Sequence, residues 1–253
     1  MIGVASPSFC FVPFPEMVGE VAERFDLWEI LVEGRHSFET CYDEISDAVA
    51  SHDIEFQAHA PMTDVNLGSM YEPMRRASVA EVRNTIEACG RLGISLVTVH
   101  PGFVQGIAFL RKSVICEQTR RSLVELACVA EDNGVVLAVE NMPTGINATC
   151  TSAEELLEAV KGTSLGLCFD MGHANTAGQI DEMLEHVALF RNVHLHNNDG
   201  TWDQHNAIDE GTADLPAAVA RIRHGGYAGS YVIEATDLDS AVGSKQMLER
   251  LLV

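Results

Sequence analysis

Short apolar runs alternate along this chain with stretches whose hydrophobic positions recur every three to four residues. The runs fall at residues 2–5, 27–32, 54–58, 96–99, 135–139, 165–169, 193–195 and 231–233. They read as continuous Val, Ile and Leu, the pattern of strands covered on both faces by helices. Helical periodicity marks 74–92, 114–133, 153–160, 180–189, 215–223 and 240–252. Thr151-Ser152 ahead of Glu154-Glu155 reads as an N-cap with an acidic first turn. Asn133-Gly134 and Gly225-Gly226 sit where helices should end. Eight strands, each followed by a helix within about 250 residues, predict an α/β fold, a (β/α)8 TIM barrel. A doubly wound sheet would carry a glycine-rich phosphate turn after its first strand, and none follows Val4. No linker or repeat interrupts the series, so residues 1–253 are expected to form a single domain.

Polar residues stand at the ends of the apolar runs. Strand 3 ends at His59, strand 4 at His100, strand 5 at Glu140, strand 6 at Asp170 with His173 close behind, strand 7 at His196 and strand 8 at Glu234. In a barrel the carboxyl ends of all strands open on one mouth, so these side chains are expected to converge. Three carboxylates brought together without a cation would repel and lose hydration. A divalent ion removes that cost, and the imidazoles add nitrogen donors. Asp203 and His205, in the loop after strand 7, are weak evidence alone but complete a second group beside His173. His194 shares a strand face with His196 and reads as a buried, hydrogen-bonded support rather than a ligand. His36, His52, His186 and His224 lie outside the pattern and carry no expected chemistry.

Charge narrows the partners. With 16 Lys and Arg against 37 Asp and Glu the formal charge is −21, and only Lys112, Lys161 and Lys245 are lysines. Such a surface repels phosphate backbones, so nucleic acid is not an expected ligand. The composition, 47% hydrophobic and 21% charged, is that of a globular protein, and no apolar stretch reaches the roughly 20 residues of a membrane helix. No basic segment precedes the apolar N-terminal residues, which makes the cytoplasm the expected location. Seven cysteines without a Cys-x-x-Cys pair read as reduced and mostly buried, not as a nucleophile.

As an ordered set these motifs resemble the xylose-isomerase-like TIM barrel superfamily, which includes sugar isomerases and epimerases and endonuclease IV. They are His-Ala-Pro at 59–61, His-Pro-Gly at 100–102, Glu-Asn at 140–141, Asp-x-Gly-His at 170–173, His-x-Asn-Asp at 196–199, Asp-x-His at 203–205 and Glu234. For an epimerase, the resemblance implies one divalent ion (Mn, Co, Mg or Zn) on Glu140, Asp170, His196 and Glu234. The two glutamates would then be acid and base across an enediolate, and His173 would bond a substrate oxygen. For an endonuclease IV-like phosphodiesterase it implies three zinc ions. His59, His100 and Glu140 would hold one of them, and His173, Asp203 and His205 another. The surroundings favour the epimerase. Met62 stands where the repair enzyme has a DNA-inserting aromatic, and Asn-Met-Pro-Thr-Gly at 141–145 replaces its Thr-Ala-Gly segment. A small sugar or sugar phosphate is the expected substrate, with Arg35, Arg75 and Arg76 as candidate phosphate contacts. Relatives are often dimers or tetramers, so a homo-oligomer is anticipated.

Overall fold

A computed structural model describes residues 1–252. Its eight strands close into one parallel barrel in sequence order. They are β1 (Ile2–Ala5), β2 (Leu27–Leu31), β3 (Glu55–His59), β4 (Leu96–Val99), β5 (Val136–Glu140), β6 (Gly166–Asp170), β7 (Phe190–Leu195) and β8 (Tyr231–Glu234). Strand β8 pairs with β1 through Ile2–Tyr231 and Ala5–Glu234, which closes the ring. Around it run α1 (Phe14–Ala22), α2 (Phe38–Ser51), α3 (Glu72–Leu92), α4 (Lys112–Asn133), α5 (Ala153–Val160), α6 (Met171–Ala177), α7 (Ile180–Met183), α8 (Leu215–His224) and α9 (Leu238–Leu252). The expected TIM barrel is therefore present, with its main apolar core between the strands and the helical ring. No described helix is long and apolar enough to cross a membrane.

The expected helix signals hold at several ends. Ser152 accepts from Glu155 N at 3.2 Å to cap α5, and Gly134 ends α4 at φ +66°. Three details depart from the periodicity. The 180–189 segment is not one helix: α7 gives way to a 3-10 turn over Leu184–Leu189, broken at His186. Strand β7 starts at Phe190, ahead of the apolar run, because Asn192 is fully buried and bonds within the barrel. Helix α6 lacks an apolar stripe and arises because Asp170 caps it, accepting from His173 N at 2.6 Å.

All seven cysteines are free, and five are buried. Beneath α1, Trp28 stacks on Phe14 at 5.0 Å between centroids, with His36 edge-on at 5.4 Å. Burial pushes the His36 imidazole down to about 4, although its Nε2–H donates to Val12 O at 3.1 Å. Below pH 6.5 the unfolded chain therefore takes up a proton that the folded chain refuses until about pH 4. Stability should fall by roughly 3 kcal/mol across that window on this account. Urea unfolding at pH 7, 5.5 and 4 should show His36→Gln, which keeps a donor for Val12, losing less stability on acidification than the wild type.

Candidate metal centre

Every side chain singled out at a strand end lies at the carboxyl mouth of the barrel. Glu140, Asp170 and Glu234 are the last residues of β5, β6 and β8, and His59 is the last of β3. His100 and His196 follow β4 and β7 by one residue. The mouth holds a cavity of about 350 Å³ whose walls include His59, His100, Glu140, His173, His205 and Glu234. Leu31, Met62, Phe103, Met142 and Ile146 supply its apolar lining.

Three ligand-capable groups share this mouth. In the first, His59 Nε2 and His100 Nε2 stand 3.2 and 3.1 Å from Glu140 Oε2. His59 Nδ1 lies 2.8 Å from Ala60 O, so its proton is best placed there and the Nε2 lone pair faces inward. The second comprises Glu140, Asp170, His194 and Glu234, with one donor atom from each within 4.8 Å of all the others. The third gathers His173, His196, Asp203 and His205. Asp203 Oδ2 is 3.2 Å from His173 Nε2 and 3.0 Å from His205 Nε2, while Oδ1 is 3.4 Å from His196 Nε2.

One placement differs from the implied ligand set. His196 turns toward the third group, keeping only Asp170 Oδ1 of the carboxylate cluster within reach at 3.1 Å. The nitrogen inside the cluster belongs to His194. It is buried and hydrogen-bonded as expected, yet its Nδ1 lies 2.9 Å from Glu234 Oε1 and 3.3 Å from Glu140 Oε1. Cys168 Sγ also comes within donor range of Glu140 and His194, but burial raises its thiol well above the ordinary value and keeps it protonated. Neither role is legible from strand ends, because both residues lie inside their strands.

The supporting residues explain the motifs. Asn141 clamps the end of β6, donating to Asp170 O and accepting from Asp170 N, both at 2.9 Å. Its own carbonyl lies 2.8 Å from His173 Nδ1, which leaves Nε2 facing Asp203. Asn197 ties the β7 loop to Ile208 O and Ala213 O, and Asn198 reaches Gly172 O at 2.8 Å. Gly172 is required by crowding, since a Cβ there would stand 2.0 Å from His196 Cε1.

Electrostatics follow from burial. Loss of hydration pushes the Glu140 and Glu234 carboxyls upward, but the His194 imidazole beside them wins and holds both below the usual range. Asp203 is likewise held low by His173 and His205 against its burial. Burial opposes charging of the imidazoles, yet the neighbouring acids raise His205 to about 9 and His173 well above its ordinary value. At His100 burial prevails over Glu140 and the imidazole is lowered.

A divalent cation fits this donor set. Glu140 Oε1, Asp170 Oδ2 and His194 Nδ1 are buried without a hydrogen-bond partner, as are Asp203 Oδ1 and one nitrogen each of His100, His196 and His205. Buried polar atoms are normally paired, and Glu140 Oε1, Asp170 Oδ2 and His194 Nδ1, orphaned within one donor cluster, are what a shared cation would satisfy.

The expected arginine contacts are absent. Among the described residues no Lys or Arg lines the cavity. Arg75 is buried between helices, bonded to Glu72 at 2.9 Å and Ser122 at 3.0 Å. Arg76 bonds Glu72, and Arg35 is exposed outside the mouth.

Comparison with known proteins agrees with this architecture. The uncharacterized protein MJ1311 of Methanocaldococcus jannaschii is 33% identical over 259 residues, covering 99% of this chain and 88% of its own. A solved D-tagatose 3-epimerase-like protein superposes with a TM-score of 0.91 at 32% identity, covering 99% of this chain and 96% of that one. The IOLI protein with a bound zinc atom shares the fold at a TM-score of 0.78 and 20% identity, covering 100% and 96% of the two chains. Residues 20–251 match the xylose isomerase-like TIM barrel family, to which this chain belongs.

Proposed function

We propose that residues 1–253 act as one catalytic domain, a divalent-cation-dependent epimerase or isomerase of unphosphorylated ketoses. The observation that carries this reading is the pair Glu140 and Glu234, donor atoms within 4.8 Å, lining one small cavity from separate strands of the ring. Both are ionised by their surroundings, so either can take a proton from the carbon beside a sugar carbonyl. The other, once protonated, returns one to the opposite face. Glu140, Asp170 and Glu234 with a neighbouring histidine would hold the cation, which when bound polarises the carbonyl and offsets the charge developing on the substrate oxygens. His173, fixed through Nδ1 by Asn141 O and paired through Nε2 with Asp203, stands at the wall where a substrate oxygen would share that Nε2 edge. The apolar lining excludes water from the reacting carbon.

The similarity to a D-tagatose 3-epimerase-like protein supports a sugar as substrate. The cavity, near the small end of the roughly 300–1,000 Å³ typical of ligand sites, suits one monosaccharide. With acids in its walls and no Lys or Arg among the described lining residues, it gives a phosphate dianion nothing to pair with.

A second reading has one observation in its favour. The three donor groups together offer places for three ions, as a zinc phosphodiesterase would need. Metal analysis of protein purified without chelators separates the two: one Mn, Co or Mg per chain fits the epimerase, and three zincs with incision of abasic duplex DNA would overturn it.

Two further outcomes are expected. In deuterated water Glu140→Gln and Glu234→Gln should each abolish label uptake at the carbon next to the carbonyl, with cation content measured in the same samples. Uptake retained by either loaded variant would show the acid–base pair to be wrongly assigned. Across matched ketoses and ketose phosphates, exchange should be at least about tenfold faster with the free sugars, because no Lys or Arg among the described lining residues is there to pair with the ester. Preference for the esters would refute the substrate class.

A further inference from the structure

Beside the mouth the surface turns apolar. The segment between β3 and α3 and the first turn of that helix hold Met70, Tyr71 and Met74 outward, 45%, 68% and 50% exposed. The 3-10 turn Gly106–Leu110, between β4 and α4, adds Ile107, Phe109 and Leu110 at 78%, 58% and 83%. With three residues per turn, a short 3-10 segment directs about one side chain in three inward. Ala108 takes that place, packed with Val104 and Ile115, and its neighbours are left in water. Asn66 stitches the two segments into one surface. Its amide donates to Phe103 O and its oxygen accepts from Phe103 N, both at 2.9 Å. Between the segments runs a groove of about 580 Å³ with Tyr71 and Ile107 in its walls.

Area and charge set this face apart. On side chains of roughly 200 Å² each, the six exposures amount to something on the order of 700 Å² of apolar surface. That exceeds the roughly 300–600 Å² of the largest patch on a typical monomer. It approaches the ~800 Å² that each partner contributes to a standard stable interface. The chain carries a formal charge of −21, yet residues 65–71 and 101–110 include no Asp, Glu, Lys or Arg. The cations at the margin are already occupied: Arg76 and Arg121 bond Glu72, and Lys112 bonds Glu155.

We propose that this face is a self-association surface, on which a second copy of the chain docks the same two segments, Met70–Met74 and Gly106–Leu110, about a two-fold axis. Identical patches meeting in this way form a closed, self-complementary pair. Two bodies of charge −21 repel wherever their acids face each other, and a contact face without net charge removes that repulsion where they touch. The side-chain types agree, since Tyr, Phe and Met are enriched, and charges depleted, at the centre of protein interfaces. Met70 and Met74 are unbranched and can repack against their counterparts. A phosphate backbone or an anionic lipid surface would instead call for free cations beside the apolar groups. Phe103 lines both this groove and the cavity of the mouth, so the paired surface abuts one wall of the site.

The test is sedimentation equilibrium of the full chain across about 1–100 μM, where a standard-sized interface of even modest quality associates. The wild type should sediment at twice the 27.5 kDa of one chain. The double variant Ile107→Glu with Leu110→Glu places four carboxylates in the contact and should pair at least about a hundredfold more weakly. Its far-ultraviolet circular dichroism should be unchanged, because both positions are exposed. Leu189→Glu, 38% exposed at the opposite end of the barrel, should pair like the wild type. Added NaCl should tighten the pair, since it screens the repulsion between the two acidic bodies and leaves the apolar contact intact. A wild type that stays monomeric throughout overturns the proposal. So does a folded double variant that pairs as the wild type does, or a pair that loosens as NaCl is raised. Monomeric wild type that pellets with phosphatidylserine vesicles would give the face to a lipid surface and likewise refute it. Should the double variant fail to fold, amide exchange of the wild type in dilute and concentrated samples decides. Protection should rise with concentration in peptides spanning 66–74 and 103–112, and a rise confined to other peptides overturns the assignment.

Discussion

The architecture of this mouth is governed by like charges held close together out of water. Glu29, Glu140 and Asp170 are fully buried, and Glu234 meets Glu140 and Asp170 around His194. Two carboxylates about 4 Å apart repel by about 4 kcal/mol even at an effective dielectric of about 20. Three such contacts approach the whole net stability of about 5–15 kcal/mol of a typical domain. Imidazoles from β3, β4 and β7 offset part of this, as the depressed Glu140 and Glu234 carboxyls record. A cation at the centre would offset the rest, so the charge cluster and the proposed chemistry share one cause.

Holding such a cluster requires a rigid frame, and the residues around it provide one. Asn141 links β5 to the end of β6, Asn197 and Asn198 lace the loop after β7, and Gly172 leaves room for the His196 ring. Closing the sheet places side chains from distant parts of the sequence in neighbouring strands. The side-chain frame then fixes which atom of each residue points inward.

Much of this is legible in the chain. Apolar runs stop where a polar residue must face the mouth, so Glu140, Asp170 and Glu234 announce themselves. Glu29 does not: within Leu-Trp-Glu-Ile-Leu an acid reads as the exposed face of an alternating strand, and only ring closure turns that face inward. That His194 as well as His196 stands beside the carboxylates is hidden for a similar reason. Both lie on one face, and each reaches a different part of the carboxylate cluster. Arg75 and Arg76 precede the apolar stripe of α3 and read as available for a phosphate, but the turn of that helix directs them to Glu72 and toward α4. Helix α6 is silent in the periodicity because a side-chain cap creates it.

Asp170 does two jobs at once. Its Oδ1 holds the first turn of α6 through the His173 amide, while Oδ2 belongs to the carboxylate cluster. Removing this acid is therefore never a simple subtraction of charge. It also frees the short helix that carries His173, so a lesion at one residue would spread to the cavity wall. Asparagine, which preserves a capping oxygen, is the replacement that separates the mechanical duty from the electrostatic one.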